Sequence, residues 1–393
     1  MFGAFDRYNY GDNLMPILFE MYMNKYAKHA LSQFSYEYVA IGPSELGRYS
    51  CYNTQSINNV VDTLPDGSVI VVIGGEVLCA RNESMLLHQQ DHLYHHLFLR
   101  LLKKLMPKLF SYYTTRSYST QWQFPFIPSK KLFKNDVKVI FNTVGGDFSG
   151  LAENELSEVK ERLEQCDYFS VRDQRTFHNM EGVNKKRMLA PDSAYIMSDL
   201  IDGSKFETLV SKAFMSKLPK GAYSVFQAAP HKVGCSVKRC IECVEDLAVK
   251  TGNKVVLLPI GYASGHHDFH LLQKINKALP NKTLLLNGLT IWEIMYVIVS
   301  SSCYFGTSLH GAITAMSFNI PHFGLNKKTT KLDAYLKDWS VAPFDKCYPV
   351  EDLSSLPELI TSKSLSDLKI KTELNIEKVK ENYRSIIEVI KAG

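Results

Sequence analysis

The chain has 393 residues, 45% hydrophobic and 22% charged, with a formal net charge of +5. These values fit a globular protein with room for two domains, each able to bury its own core, and they exclude disordered and fibrous classes. The mild charge is compatible with an anionic small ligand or an anionic membrane surface and demands neither; no nucleic-acid partner is expected.

In chain order, MFGAFDRYNYGDN lacks the basic start and apolar core of a secretory leader. MFGAF leaves little room for a first strand before YNYGDN (8–13), where Gly11 and Asp12 precede the apolar helix pattern LMPILFEMYM. VIVVIG (69–74) reads as a buried strand ending at Gly74 and Gly75. In LLHQQDHLYHHLF, His88, His92 and His95 share a helical face, read as polar surface or acceptor contact rather than metal because no carboxylate completes HExxH. Residues 100 to 138 carry nine Lys or Arg against one acid, Asp136. HHLFLRLLKKLMPKLF is amphipathic, and SYYTTRSYSTQWQFPFIP after it is dense in aromatics. An insertion over about 85–135 is therefore expected. It either covers the first sheet or docks on an anionic membrane and presents a lipid-linked sugar.

Further strands are predicted at 137–145, 168–173, 222–227, 254–260, 303–307 and 322–325, with helices such as ELSEVKERLEQ and VKRCIECVEDLAVKTG between several of them. Strands alternating with helices imply an α/β chain with doubly wound parallel sheets. The pattern weakens between 180 and 220, which divides the chain into 1–190 and 191–345. A helical tail, 346–393, has Ile376, Val379, Tyr383, Ile386 and Ile390 on one face. The eight scattered cysteines read as reduced and buried, favouring a cytoplasmic protein. In HKVGCSVKRCIEC, Cys240, Val244 and Leu247 make a core stripe rather than a zinc site. No apolar run reaches the roughly 20 residues needed to span a bilayer.

The chemistry lies in the loops. In GTSLHGAITA (306–315) a strand ends at Gly306 and a helix starts with Thr307 or Ser308 as N-cap. Its first turn has unpaired N–H groups and a positive dipole end, so it is a candidate anion site, with Gly311 allowing close approach and His310 able to donate a hydrogen bond or a proton. Read alone, this stretch is equally a packed helix start. SVRDQRT places Arg172, Asp173 and Arg175 past a strand. VIGGEVL adds Gly74 and Gly75, which allow close approach, and LAPDSA and GYASGHHD add Asp192, His266, His267 and Asp268 at or near strand ends, where α/β sheets bind ligands.

YNYGDN, VIGGEVL, FSVRD, APDSA and above all TSLHGAITAMSFNIPHFGL resemble the polysaccharide pyruvyl transferases over roughly residues 5 to 330. The resemblance implies a GT-B-like fold, two Rossmann-type domains facing a cleft. It also implies transfer of the enolpyruvyl unit of phosphoenolpyruvate to a sugar of a cell-surface polysaccharide or its lipid-linked precursor, forming a ketal without cofactor or metal. By that resemblance His310 handles the proton or the phosphate, and Arg172 holds the donor's anionic groups. Asp12 serves as base or orienter for an acceptor hydroxyl. Thr307, Ser308, Gly311, Lys327 and Lys328 complete the donor side. Asn13, Gly74, Gly75, Glu76, His267 and Asp268 form the acceptor side. Ser308 departs from relatives that carry Arg there, so Lys327 and Lys328 are expected to supply the missing charge. Gly-Gly-Glu stands where relatives often have a third Gly. A nucleotide-sugar glycosyltransferase and a catalytically silent glycan- or anion-binding relative are the competing readings, and the oligomeric state is left open.

Overall fold

Apolar runs bounded by Gly, Pro or Asp form two parallel sheets. The computed structural model describes residues 1–88, 93–118, 123–183, 186–262 and 268–392. The first sheet orders β3 (Ser68–Ile73), β4 (Val137–Val144), β5 (Tyr168–Val171) and β6 (Met188–Leu189) side by side. A short parallel pair, β1 (Val39–Ala40) and β2 (Gln55–Ser56), joins it through Phe2, which bridges both Val39 and Val72. The start of the chain thus enters the sheet as a single-residue strand.

The second sheet contains β7 (Tyr223–Gln227), β8 (Lys254–Leu257), β9 (Thr283–Leu285), β10 (Cys303–Gly306), β11 (His322–Leu325) and β12 (Cys347–Tyr348) in the order β12-β11-β10-β7-β8-β9. The strand order reverses between β7 and β10, the place where doubly wound sheets open a ligand crevice. β12 lies beyond residue 345, so the second sheet runs further along the chain than the sequence boundary implies. β9 is absent from the predicted strands because its apolar stretch, TLL, is too short to stand out from a loop.

One apolar cluster lies between the sheets. It joins α1 (Tyr10–Tyr26) to residues of the second half such as Ile294, Ile313 and Tyr335. The tail is a helix from Ser362 to Lys391 that buries Val379, Tyr383, Ile386 and Ile390. It returns to the first sheet, where Asn382 donates to Asn142 Oδ1 at 2.8 Å and Tyr168 donates to Asn382 Oδ1 at 2.9 Å. In the helix Val237–Thr251, Cys240, Val244 and Leu247 face the core.

The segment expected as an insertion holds α2 (Asn82–His88), α3 (Leu93–Leu105) and α4 (Pro107–Tyr118). Leu99, Phe110 and Tyr118 cover one face of the first sheet. His92 lies outside the described residues, and His95 is exposed. No helix among the described residues is long and apolar enough to cross a membrane.

Candidate active site

The site grows from the switch point of the second sheet. Gln227 at the end of β7 reaches across to the turn after β10, and its Oε1 accepts from the backbone N–H groups of Thr307 at 2.9 Å and Ser308 at 2.8 Å. Its Nε2 donates to Asp268 Oδ2 at 2.8 Å. That oxygen also accepts from the N–H groups of Ile260 at 3.1 Å and Gly261 at 2.9 Å. Burial raises the pKa of Asp268 against these hydrogen bonds. Ser308 caps the helix Leu309–Ser317 by accepting from Gly311 N at 3.3 Å. Several N–H groups expected to hold an anion are therefore satisfied from within. Gly311 offers no approach either, because a Cβ there would collide with the Tyr304 hydroxyl. Its lack of a side chain serves packing, which corrects the expectation of a ligand contact.

His310 projects from the first turn of this helix with 9% of its surface exposed. Its ring lies against Gly11, where any Cβ would collide with the imidazole. The first turn of α1, where the sequence predicts a loop, and the histidine helix therefore meet only because residue 11 is glycine. Tyr10 of the same turn shares a 2.8 Å hydrogen bond with Thr314, one turn further along the histidine helix. His310 Nε2 stands 3.6 Å from Asp192 Oδ2, an ion-pair rather than a hydrogen-bond separation.

Asp192 Oδ2 also accepts from Arg172 Nη1 at 3.1 Å, and Arg172 Nη2 donates to Glu76 Oε2 at 2.6 Å. Asp173 Oδ2 lies 3.7 Å from Arg172 Nε. Arg172 is completely buried and committed to these carboxylates. The expectation that it grips a donor directly is therefore corrected: it lies beneath the cleft, beside the carboxylate that faces His310. Gly74 and Gly75 likewise do not line the cleft; both have positive φ (47° and 75°), and their turn brings Glu76 to Arg172 and Arg175. Asn13, in the first turn of α1, is buried and ties the helix start to the preceding segment, donating to Phe5 O at 3.1 Å and accepting from Asn9 N at 2.8 Å, which corrects its acceptor role.

The cleft between the sheets has a volume of about 810 Å³. Of the sequence-predicted residues, Asp12, Glu76, Asp268, Thr307, Ser308, His310 and Lys328 line it. Lys327 points to solvent away from it. His267 lies outside the described residues. Sequence reasoning missed Arg7, Lys232 and Lys331, which line the cleft and, with Lys328, stand among the carboxylates of Asp12, Glu76 and Asp268 on the same lining. Lys331 Nζ is 3.5 Å from Glu76 Oε2. Burial lowers the pKa of both lysines, more than Asp268 raises it at Lys232 or Glu76 at Lys331. Asp12, which follows the Gly11 that touches His310, accepts from Asn9 Nδ2 through Oδ2 at 2.8 Å. Among the described residues no group of three His, Cys, Asp or Glu could hold a metal ion.

The buried charges tie stability to pH. Burial alone would raise Asp192, but His310 and Arg172 outweigh it and lower the carboxyl from 3.8 to about 2. Glu76 is held lower still, because Lys331, Arg172 and Arg175 outweigh its burial. A depressed folded-state pKa contributes stability that is complete above the unfolded value and is lost as pH falls through the folded one. Asp268, raised by burial, acts in the opposite sense and offsets part of this. Denaturant midpoints should therefore fall steeply between about pH 4 and pH 2, and Asp192→Asn should flatten that slope.

The structure aligns over its whole length with UDP-GlcNAc 2-epimerase from Neisseria meningitidis bound to UDP-GlcNAc, with a TM-score of 0.54, 11% identity, and 100% of this chain and 98% of that one covered. UDP-GlcNAc 2-epimerase from Methanocaldococcus jannaschii gives a TM-score of 0.49 at 11% identity, covering 92% of each chain. UDP-glucose: anthocyanidin 3-O-glucosyltransferase in complex with UDP also gives 0.49, at 10% identity, covering 100% of this chain and 99% of that one. The two parallel sheets and the first of these likenesses make the fold α/β and GT-B-like, and likeness at this identity shows the fold alone. No curated protein matches the chain in sequence. The family model for polysaccharide pyruvyl transferase, however, matches residues 9–328, the span that contains Gly11 and Asp12, the Arg172 network and the histidine helix. The chain belongs to the polysaccharide pyruvyl transferase family.

Proposed function

We propose that this protein transfers the enolpyruvyl unit of phosphoenolpyruvate to two hydroxyls of a saccharide, releasing phosphate and forming a pyruvate ketal. The observation that carries the reading is the set of lysines, Lys232, Lys328 and Lys331, lining the cleft that contains the His310 imidazole, with Arg7, paired to Asp6 at 3.3 Å, beside them. A small donor bearing both a phosphate and a carboxylate matches that charge, and Lys232 and Lys331 are its anchors at the site.

The reaction needs a proton on C3 of the donor and nucleophiles at C2. One hydroxyl oxygen bonds to C2, C3 becomes a methyl group, the C2–O bond to phosphate breaks, and the second hydroxyl oxygen closes the ketal. Of the two hydroxyl protons released, one balances the proton gained by C3 and the other balances the departing phosphate. His310, set against Asp192, is the proton donor to C3 in this scheme, and Asp12, next in the chain to the Gly11 that touches the imidazole, receives a hydroxyl proton. Tyr262, partly exposed, lines the same cleft and offers an aromatic surface to a sugar ring.

Incubation with phosphoenolpyruvate and a panel of saccharide acceptors, with phosphate release as the readout, tests the proposal. Release should depend on acceptor. Lys331→Met should raise the KM for phosphoenolpyruvate about 10- to 100-fold, the loss expected for one charge-assisted contact. Turnover only with a nucleotide sugar would instead favour a glycosyltransferase, and donor binding without turnover a silent relative.

A further inference from the structure

The outer face of α3 and α4 is apolar, exposed and flanked by cations. On α3, Tyr94, Leu97, Phe98, Leu101 and Leu105 share one stripe at helical spacing and are all exposed, Tyr94 by 88% and Leu105 by 67%. Met106 and Leu109 extend it, and Tyr112 and Tyr113 of α4 are exposed as well. The opposite faces of these helices already bury Leu99, Phe110 and Tyr118 against the first sheet, so packing in the fold does not explain the outer stripe. Large apolar side chains grouped on a surface mark a place of contact.

The charge around the stripe says what the contact is. Residues 93–118 contain five Lys or Arg and no Asp or Glu. Lys103 is paired with Glu83 at 3.0 Å. Arg100, Lys104 and Lys108 are exposed and, among the described residues, have no ion-pair partner. A protein partner would be expected to meet an apolar stripe with only scattered charge. An anionic bilayer surface meets both features together, taking the apolar side chains into its interface and the cations at its phosphates. Tyrosines at the edge suit that boundary. We propose that this face docks on an anionic lipid bilayer. α2, which packs against α4, also supplies Met85 to the cleft wall, so docking sets the cleft beside the bilayer.

Co-sedimentation of the full chain with vesicles of phosphatidylcholine alone, or with phosphatidylglycerol added, tests this. Binding should require phosphatidylglycerol and fall with added salt. Leu97→Ser with Phe98→Ser and Leu105→Ser should weaken it at least tenfold. Arg100→Gln with Lys104→Gln and Lys108→Gln, which alters no buried residue, should weaken it about a hundredfold. Circular dichroism checks that each variant folds. Absence of binding to the anionic vesicles overturns the proposal, as does binding that both variants retain. A concentration-dependent dimer abolished by the serine variant would assign the face to a second copy instead.

Discussion

Replacing His310 with alanine is expected to lower acceptor-dependent phosphate release by about 10²–10⁴-fold, with the loss in kcat rather than in the KM for phosphoenolpyruvate. The imidazole sits at the start of a helix already capped by Gln227 and Ser308, so its removal leaves the cap intact. Thr314 and Tyr10 hold the following turn independently of the ring. The helix should therefore persist, and the loss in thermal stability should be modest, because Arg172 still pairs with the Asp192 carboxylate that His310 leaves. The kinetic split distinguishes the two roles open to His310. A proton donor to C3 acts only in the transition state, so its loss appears in kcat and kcat/KM equally. A group that only steadies the phosphate acts in the ground state too, and its loss raises KM. His310→Asn, which retains a polar contact but no transferable proton, should match alanine in the first case and recover part of the activity in the second. Phosphate release unchanged in both variants would remove the imidazole from the chemistry.

The strands and the histidine helix were legible because they rest on short-range rules. VIVVIG, VKVIFNTV and KVVLLPI are buried on both faces and read as continuous apolar runs, and TSLHGA carries its own cap. The cation supply was less legible. Lys327 and Lys328 follow a strand, where a lysine is ordinarily solvated, and only Lys328 reaches the cleft. Lys331 stands one residue inside the helix Thr330–Trp339, where the dipole disfavours a positive charge. That misplacement was the available signal for a functional lysine, since a bound anion would offset it. Lys232 gave no local signal; its position depends on Asn326, whose Nδ2 donates to Lys232 O at 2.7 Å from far along the chain. Arg172 misled for a similar reason. A guanidinium after a strand looks available to a ligand until Glu76 and Asp192, 96 and 20 residues away, are brought to it by the fold.

That burial sets the second large effect. Arg172→Met is expected to destabilise the protein by roughly 3–5 kcal/mol, because removing one partner from a buried ion network leaves the others without compensation. Arg172 and Asp192 are fully buried, so water cannot take over the lost hydrogen bonds. Glu76 is less affected, since Arg175 and Lys331 still neighbour it. The uncompensated carboxylate is therefore chiefly Asp192, and adding Asp192→Asn to Arg172→Met should recover part of the loss, a coupling that a double-mutant cycle in denaturant melts would measure. Arg172→Lys separates structure from binding. A lysine keeps the charge but cannot reach Asp192 and Glu76 as a planar fork, so the melts should show a smaller but clear loss. If Arg172 instead gripped the donor, the same substitution would leave the melts unchanged and raise the KM for phosphoenolpyruvate. A destabilised Arg172→Lys whose KM stays near that of the unaltered protein would establish the guanidinium as a support for Asp192, and through Asp192 for the His310 ring 3.6 Å away.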